Sequence, residues 1–356
     1  MSPFTVVLIV PTGVGAAIGG YAGDALPVAR AIAHMGDRLI THPNVLNGAQ
    51  LYWPLDNTYY VEGYGLDRFA ANQWGLRPVR QNKVGLLLDR GIEPELRLRH
   101  IQAADATRAT LGLNLTDYVI TDAPLAVELR TADSGASWGT IGNPGSLLRA
   151  AEKLISQAGA EAIAVVARFP DDEDSPELQN YRHGEGVDHL AGAEAVISHL
   201  IVRNFQIPAA HAPALKPLAV DSDISPRAAA EELGYTFLPC VIVGLSRAPQ
   251  FITETKSSIP EVMWADSVNV AIVPYSACGG SGILSLSNSS TQIIAVTNNS
   301  TEIYVPPEPL GIKVITVNSY LEALGVLVAQ RAGIDFRVLN PDLSSLRRLS
   351  ENSGKS

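Results

Sequence analysis

The segment Tyr275-Ser276-Ala277-Cys278-Gly279-Gly280-Ser281-Gly282 sets one thiol among small residues, between an apolar run at 268–273 and an apparent helix. Glycines let backbone N–H groups approach a ligand closely, and a helix N-terminus favours negative charge. The same setting would lower a thiol pKa. Ser276, Gly279, Gly280 and Ser281 are therefore candidate donors to a carboxylate or phosphate. Cys278 is a candidate nucleophile beside an oxyanion hole. A tight turn around a small buried thiol is the plainer alternative.

Two more glycine-rich stretches invite the same reading. Gly13-Val14-Gly15-Ala16-Ala17-Ile18-Gly19-Gly20 follows the first apolar run. It departs from the dinucleotide fingerprint, since the next helix begins near Asp24, outside the motif. The second strand also ends Ile40-Thr41-His42-Pro43, with no acid to hold a ribose. Gly13 and Gly15 are thus read as substrate-binding, ahead of a nicotinamide site. In Gly139-Thr140-Ile141-Gly142-Asn143-Pro144-Gly145-Ser146, at the end of a Ser- and Gly-rich loop expected over 133–145, Asn143 offers an amide to a ligand, with simple helix capping as the alternative.

Four of the seven histidines lie between 183 and 211. The run His183-Gly184-Glu185-Gly186-Val187-Asp188-His189 has the residue types of a metal site but no recognised ligand spacing, so no metal is expected. On one helix, Asp188 and His199 would stand roughly 16 Å apart. His199, on the following helix, and His211, on a loop at Ala209-Ala210-His211-Ala212-Pro213, are read instead as candidate acid–base groups, with satisfied structural histidines as the alternative. Arg247, after the apolar run 238–244, suits bidentate anion contact, or is merely a surface arginine. Asn298, after the run 291–297, lies where parallel sheets place their ligands.

These groups must be positioned by strands and helices. Strands are predicted at 6–11, 38–41, 84–88, 118–121, 125–129, 160–167, 238–244, 268–273, 291–297 and 312–317. Helices are predicted at 24–35, 95–110, 146–157, 190–204, 226–233 and 319–332. Cys240 falls inside the expected strand 238–244. Residues 50–82 carry Tyr52, Trp53, Tyr59, Tyr60, Tyr64 and Trp74 among turn formers, and read as short strands and turns, either a flap or subunit contact or, more plainly, aromatic packing under a long loop. Asp171, Asp172, Glu173 and Asp174 mark a solvated loop. The alternation predicts an α/β fold, mostly parallel, with helices on both sheet faces. Val10-Pro11 and Val273-Pro274 each end an apolar run before small residues, an echo that two related halves would explain. The expected division is 1–135, 136–343 and a flexible tail at 344–356.

The chain has 356 residues, 46% of them hydrophobic, and a net charge of −10. That balance disfavours a nucleic-acid partner, which needs clustered positive charge. No apolar run approaches the ~20 residues that span a bilayer, so no membrane insertion is expected. Two cysteines, and a start without a basic leader, point to the cytoplasm.

The segments Gly192-Ala193-Glu194-Ala195-Val196-Ile197-Ser198-His199, Leu245-Ser246-Arg247-Ala248-Pro249, Ala277-Cys278-Gly279-Gly280 and Asn318-Ser319-Tyr320-Leu321-Glu322-Ala323 span most of the chain. Through them it resembles an uncharacterised family of cyanobacterial and plastid proteins. The resemblance implies a photosynthetic source and a single unit, and it carries over no activity. The expected protein is an enzyme acting on a small anionic metabolite, a transferase or hydrolase ahead of an oxidoreductase. A metabolite sensor and an assembly scaffold are its rivals, and homo-oligomers stay open.

Overall fold

Apolar runs that are buried on both sides form the strands at the centre of the molecule. The computed structural model describes residues 2–47, 51, 53–171, 175–233, 237–254 and 261–346. The first third holds β1 (Thr5–Leu8), α1 (Leu26–Met35), β2 (Arg38–Thr41), α2 (Pro43–Leu46), β3 (Thr58–Tyr60), α3 (Gly63–Ala70), β4 (Gly75–Arg77), β5 (Val84–Leu88), α4 (Pro94–Leu111) and β6 (Leu115–Ile120). The middle holds β7 (Val127–Thr131), β8 (Ser137–Ile141), α5 (Pro144–Ala158), β9 (Ala162–Arg168), α6 (Pro176–Arg182), α7 (Ala191–Phe205), β10 (Ala209–Ala214) and α8 (Ala229–Glu232). Then follow α9 (Leu238–Ser246), β11 (Gln250–Ile252), β12 (Val268–Pro274), α10 (Ser281–Ser287), β13 (Gln292–Val296), β14 (Val314–Val317) and α11 (Tyr320–Arg331).

Two parallel sheets result, with strand orders β14-β13-β12-β1-β2-β3 and β10-β9-β5-β6. The expected α/β architecture is the one observed. Val6 and Leu8 face one hydrophobic cluster with α1 and α11, while Val7 faces the other with α3 and α10. The smaller sheet divides likewise, with Leu86 and Leu88 against α9 and Leu87 against α5 and α7. Side chains alternate across a strand, so covering both faces demands continuous apolar runs. The two Val-Pro strands prove to be neighbours: Val6 pairs with Val270 and Leu8 with Ile272. The loops after both therefore leave from one sheet edge. Residue 135 lies between the strands of the antiparallel hairpin β7–β8, and β1–β3 share their sheet with β12–β14.

Three local expectations are corrected. Residues 238–244 belong to helix α9, not a strand, and Pro239 sits in its first turn, where a missing N–H costs nothing. Apart from Pro239, the run Leu238–Leu245 is apolar and buried on every side of α9, which hides its helical period. Gly139–Ile141 lie in β8 rather than a loop. Ala209–Ala214, poor in β-branched residues, nevertheless forms β10 beside β9. In the aromatic segment, Tyr60 and Trp74 are buried while Trp53 lies under the Arg30 guanidinium at 3.8 Å. Tyr52, Asp172, Glu173, Asp174 and the tail from residue 347 lie outside the described residues. Asp171 pairs with Lys216 at 3.0 Å and with Arg168.

Candidate functional site

A cavity of about 350 Å³ opens at the carboxyl edge of the larger sheet. Its walls come from segments that follow β1 (Pro11, Thr12), β2 (His42, Asn44), β3 (Glu62, Asp67) and β12 (Ala277, Gly280, Ser281). The opposite wall is α7 and β10, through Glu194, Ser198, His199 and His211. Parallel sheets place their ligand sites at this edge because loops from several strands converge there.

Glu62 is almost fully buried and caps α3, accepting bonds from the Tyr64 and Gly65 amides at 2.9 and 3.2 Å. Its other oxygen meets His199 Nε2 at 3.0 Å. Burial pulls the His199 pKa down, but the Glu62 bond and the charges of Glu62 and Asp67 outweigh it, and the net direction is up. His211 is held differently. Ser198 Oγ lies 2.8 Å from Nδ1, and Glu194 Oε2 lies 3.6 Å from Nε2. Glu194 and Ser198 are one helical turn apart on α7, so both face the same ring. His42 is buried, which pushes its pKa down to about 4, and its Nε2 accepts the Val10 amide at 3.1 Å. It is a neutral ring with its proton on Nδ1.

Three carboxylates in and beside the cavity, Asp67, Asp188 and Glu231, are perturbed upward. Burial raises Asp67, against the bonds it receives from Ser281 and the Gly282 amide. Burial and the nearby charges of Glu231 and Glu194 raise Asp188 well above the usual range. Glu231 is pushed up to about 7, chiefly by burial, while it accepts bonds from Tyr181 Oη at 2.6 Å and the Ala22 amide at 2.8 Å. Glu231 lines a second chamber of about 490 Å³, which shares Ala22, Asn47, Asp188, Glu194 and His211 with the first. Among the described residues no group of three or more His, Cys, Asp or Glu side chains is placed to hold a metal ion.

The structure brings together His199, His211, Gly280 and Ser281 of the residues expected from sequence. The others lie elsewhere. Cys278 is fully buried behind the cavity, its Sγ donating to the Tyr275 carbonyl at 3.4 Å. Burial pushes the thiol up to about 11, opposite to the activation expected. Ser276 bonds Thr301, and a Cβ at Gly279 would meet Val305 at 2.8 Å. Gly13 and Gly15 have φ of +70° and +60°, and a Cβ there would meet Ser137 and Glu302. Asn143 donates to the Pro124 carbonyl at 2.7 Å, and Asn298 is exposed. Arg247 ends α9 at the opposite edge, 3.5 Å from Asp56 just before β3. It followed a helix rather than a strand, so the rule of strand carboxyl ends did not apply to it. Sequence reasoning missed His42, Glu62, Asp67, Glu194 and Ser198. Only Glu62 left a trace, an acid immediately before a Gly-Tyr-Gly turn inside the aromatic segment.

Fold and cavity together define an α/β protein with a ligand-sized site at the carboxyl edge of a parallel sheet. The chain belongs to the family described as "Protein of unknown function (DUF3326)", which matches residues 5–340. It is 62% identical over 337 residues to an uncharacterized lipoprotein of Synechococcus sp., covering 95% of this chain and 93% of that one. No solved structure matches it. The resemblance read from the sequence therefore stands, but the cytoplasmic placement does not, since that relative is named a lipoprotein. Cys240 and Cys278 are both buried, and buried thiols are unreactive, so neither reports the compartment. No helix of the described residues is long and apolar enough to cross a membrane.

Proposed function

We propose that the protein is an enzyme that moves protons on a small neutral or cationic molecule held in the inner cavity. The observation that carries this is the convergence of two histidines, each with its own partner, on one cavity: His199 with Glu62, and His211 with Ser198 and Glu194. A partner that fixes the ring and raises its pKa suits an acid that donates near neutral pH. His199 is that acid, and His211 is the second proton-transfer group. The anionic substrate expected from sequence finds less support. Glu62, Asp67, Asp188 and Glu194 line the cavity, and no Arg or Lys does so among the described residues. An anion there would meet carboxylates, and the positive charge of protonated His199 is already paired with Glu62.

The test is incubation of the purified protein with a small-molecule extract, followed by untargeted mass spectrometry. At least one compound should be consumed by the wild type and spared by His199→Gln and by His211→Gln. A compound that is bound but returned unchanged would make the cavity a receptor and overturn the enzymatic reading.

A further inference from the structure

Three histidines line the inner cavity, and the acid–base reading uses only His199 and His211. The third, His42, directly follows β2 and is the N-cap residue of α2, yet its side chain caps none of that helix's amides. Its Nε2 accepts the Val10 amide at 3.1 Å, which requires a bare nitrogen there and places the ring proton on Nδ1. The residue is only 8% exposed. Nδ1 has no hydrogen-bond partner among the described residues, and it is not one of the orphaned atoms sealed in the interior, such as Thr5 Oγ1. It opens on the cavity that the ring lines. Buried donors are nearly always satisfied, so an N–H left open at a cavity wall points to an acceptor on the ligand. The ring is also neutral, because burial lowers its pKa to about 4. A cationic ring among these carboxylates would be drawn into an ion pair, as His199 is with Glu62, whereas a neutral N–H stays free to donate.

We propose that His42 Nδ1–H donates to a carbonyl oxygen of the substrate, and that the reaction is an isomerisation through an enol. This rests on the proposed acid–base site and adds the class of substrate and the fate of its protons. In the first half, the C–H bond beside the carbonyl breaks and its proton passes to His211, whose positive charge Glu194 faces at 3.6 Å. The electron pair of that bond forms the C=C bond. The carbonyl π pair moves onto oxygen, which takes a proton from His199 while it holds the His42 bond. In the second half, His211 returns a proton to carbon, and an oxygen of the enol returns one to His199. Both rings end as they began. Protonation at the original carbon exchanges its hydrogen with solvent, and protonation at another carbon gives an isomer. A donor held in place by the Val10 amide needs no reorganisation when charge develops on the oxygen, which is where such donors contribute most.

The probes are hydroxyacetone and cyclohexanone as neutral ketones and aminoacetone as a cationic one, each incubated with the full chain in heavy water and followed by proton NMR. The wild type should speed deuterium entry beside the carbonyl of at least one of them above the buffer rate. His42→Gln keeps an acceptor within reach of the Val10 amide and loses the donor at the Nδ1 position. It should lower kcat for exchange by about 10² to 10³-fold, the usual worth of one donor to a developing oxyanion, and change KM far less. In His42→Asn the amide nitrogen is as many bonds from Cα as Nδ1 is, so part of the rate should return. Near-UV circular dichroism would confirm that both variants are folded. If the wild type speeds exchange of none of the ketones, or if His42→Gln exchanges them as fast as the wild type does, the inference is overturned. A compound consumed from the extract in a His199-dependent way that has no carbonyl would reject the carbonyl substrate and leave the acid–base site standing. Exchange and consumption that both persist in His199→Gln and His211→Gln would reject the acid–base site itself.

Discussion

The inner cavity has two facing walls that carry very different chemistry. One is the glycine loop ahead of α10, with Gly280 and Ser281 at its surface and Cys278 behind it. The other is α7 with β10, which presents Glu194, Ser198, His199 and His211. The first wall carries the more suggestive sequence, yet its backbone is engaged by another chain segment, around Val305. The Cys278 amide donates to the Val305 carbonyl at 2.9 Å, and the Val305 amide returns a bond to Ser276 at 2.7 Å. Its glycines answer to close packing as much as to any ligand. The second wall looks ordinary in sequence, an Ala-rich helix and a run of alanines, and it holds the titratable groups. Glycine marks a close approach of backbone, and the approaching partner is as readily another chain segment as a ligand.

The sharpest way to break this contrast is catalytic. His199→Gln should lower turnover of whichever compound the extract assay identifies by about 10² to 10⁴-fold, the usual worth of a positioned acid–base group. Cys278→Ala should leave the rate nearly unchanged. Comparable losses in both would restore the glycine wall as a catalytic element.

Glycines on the two walls should respond oppositely to alanine. A Cβ at Gly192, on α7, would stand 2.3 Å from Trp138 Cα and 2.4 Å from the Ser137 carbonyl, both backbone atoms of β8. Gly192→Ala should therefore cost about 1–3 kcal/mol in urea unfolding. Gly280 has an extended backbone and nothing within 4 Å of a Cβ, so Gly280→Ala should stay within about 0.5 kcal/mol. Equal costs would mean that α7 can slide over its hairpin.

Glu62 links the chemistry to stability. Glu62→Gln weakens the α3 cap and removes the charge on His199, and should destabilise the fold by about 1 kcal/mol. Because the folded pKa of His199 lies above its unfolded value of 6.5, its contribution is complete below that value and is lost as pH rises through the raised pKa. The wild type should thus lose stability across that interval, and Glu62→Gln should flatten the profile. The His199 resonance in NMR should titrate at lower pH in the variant. A His199 midpoint unmoved by the substitution would remove Glu62 as its partner.

The smallest effect concerns thiol labelling. In the native protein, iodoacetamide should modify Cys278 as slowly as Cys240, because both are buried and the Cys278 thiol is held protonated. Rapid modification of Cys278 alone would show that its wall opens.

Much of the fold was legible in the sequence, because buried parallel strands impose a conspicuous pattern. Val6–Leu8, Ala162–Ala167, Val270–Val273 and Ile293–Val296 are unbroken apolar runs, and each is a strand. The pattern fails where burial is complete in a helix, as in α9, since periodicity vanishes when every side is apolar. It fails again at β10, whose alanines carry little strand preference and whose position is set by pairing with β9. The site was legible only in part. His199 and His211 stand out as histidines, but Glu62 is joined to His199 by the folded chain and lies 137 positions away in sequence. Nothing local to Glu62 reports that contact, and its own neighbourhood signals only a turn.

The strand order has a consequence for biosynthesis. The Thr5 amide bonds Asn269, 264 residues further on, and β1 has β12 as one of its two neighbours in the sheet. At ribosomal rates of roughly 5–20 residues per second, β1 waits on the order of ten to fifty seconds with that edge unpaired. The four strands of the smaller sheet are complete by Ala214, so they can assemble while the larger sheet still lacks half its strands. Closure of β12 against β1 must overcome a long loop, which makes it a slow and aggregation-exposed event. It is also the event that brings Gly280 and Ser281 opposite α7. The pocket therefore comes into being only near the end of translation, and a nascent chain released early would present a sticky strand edge and no binding site.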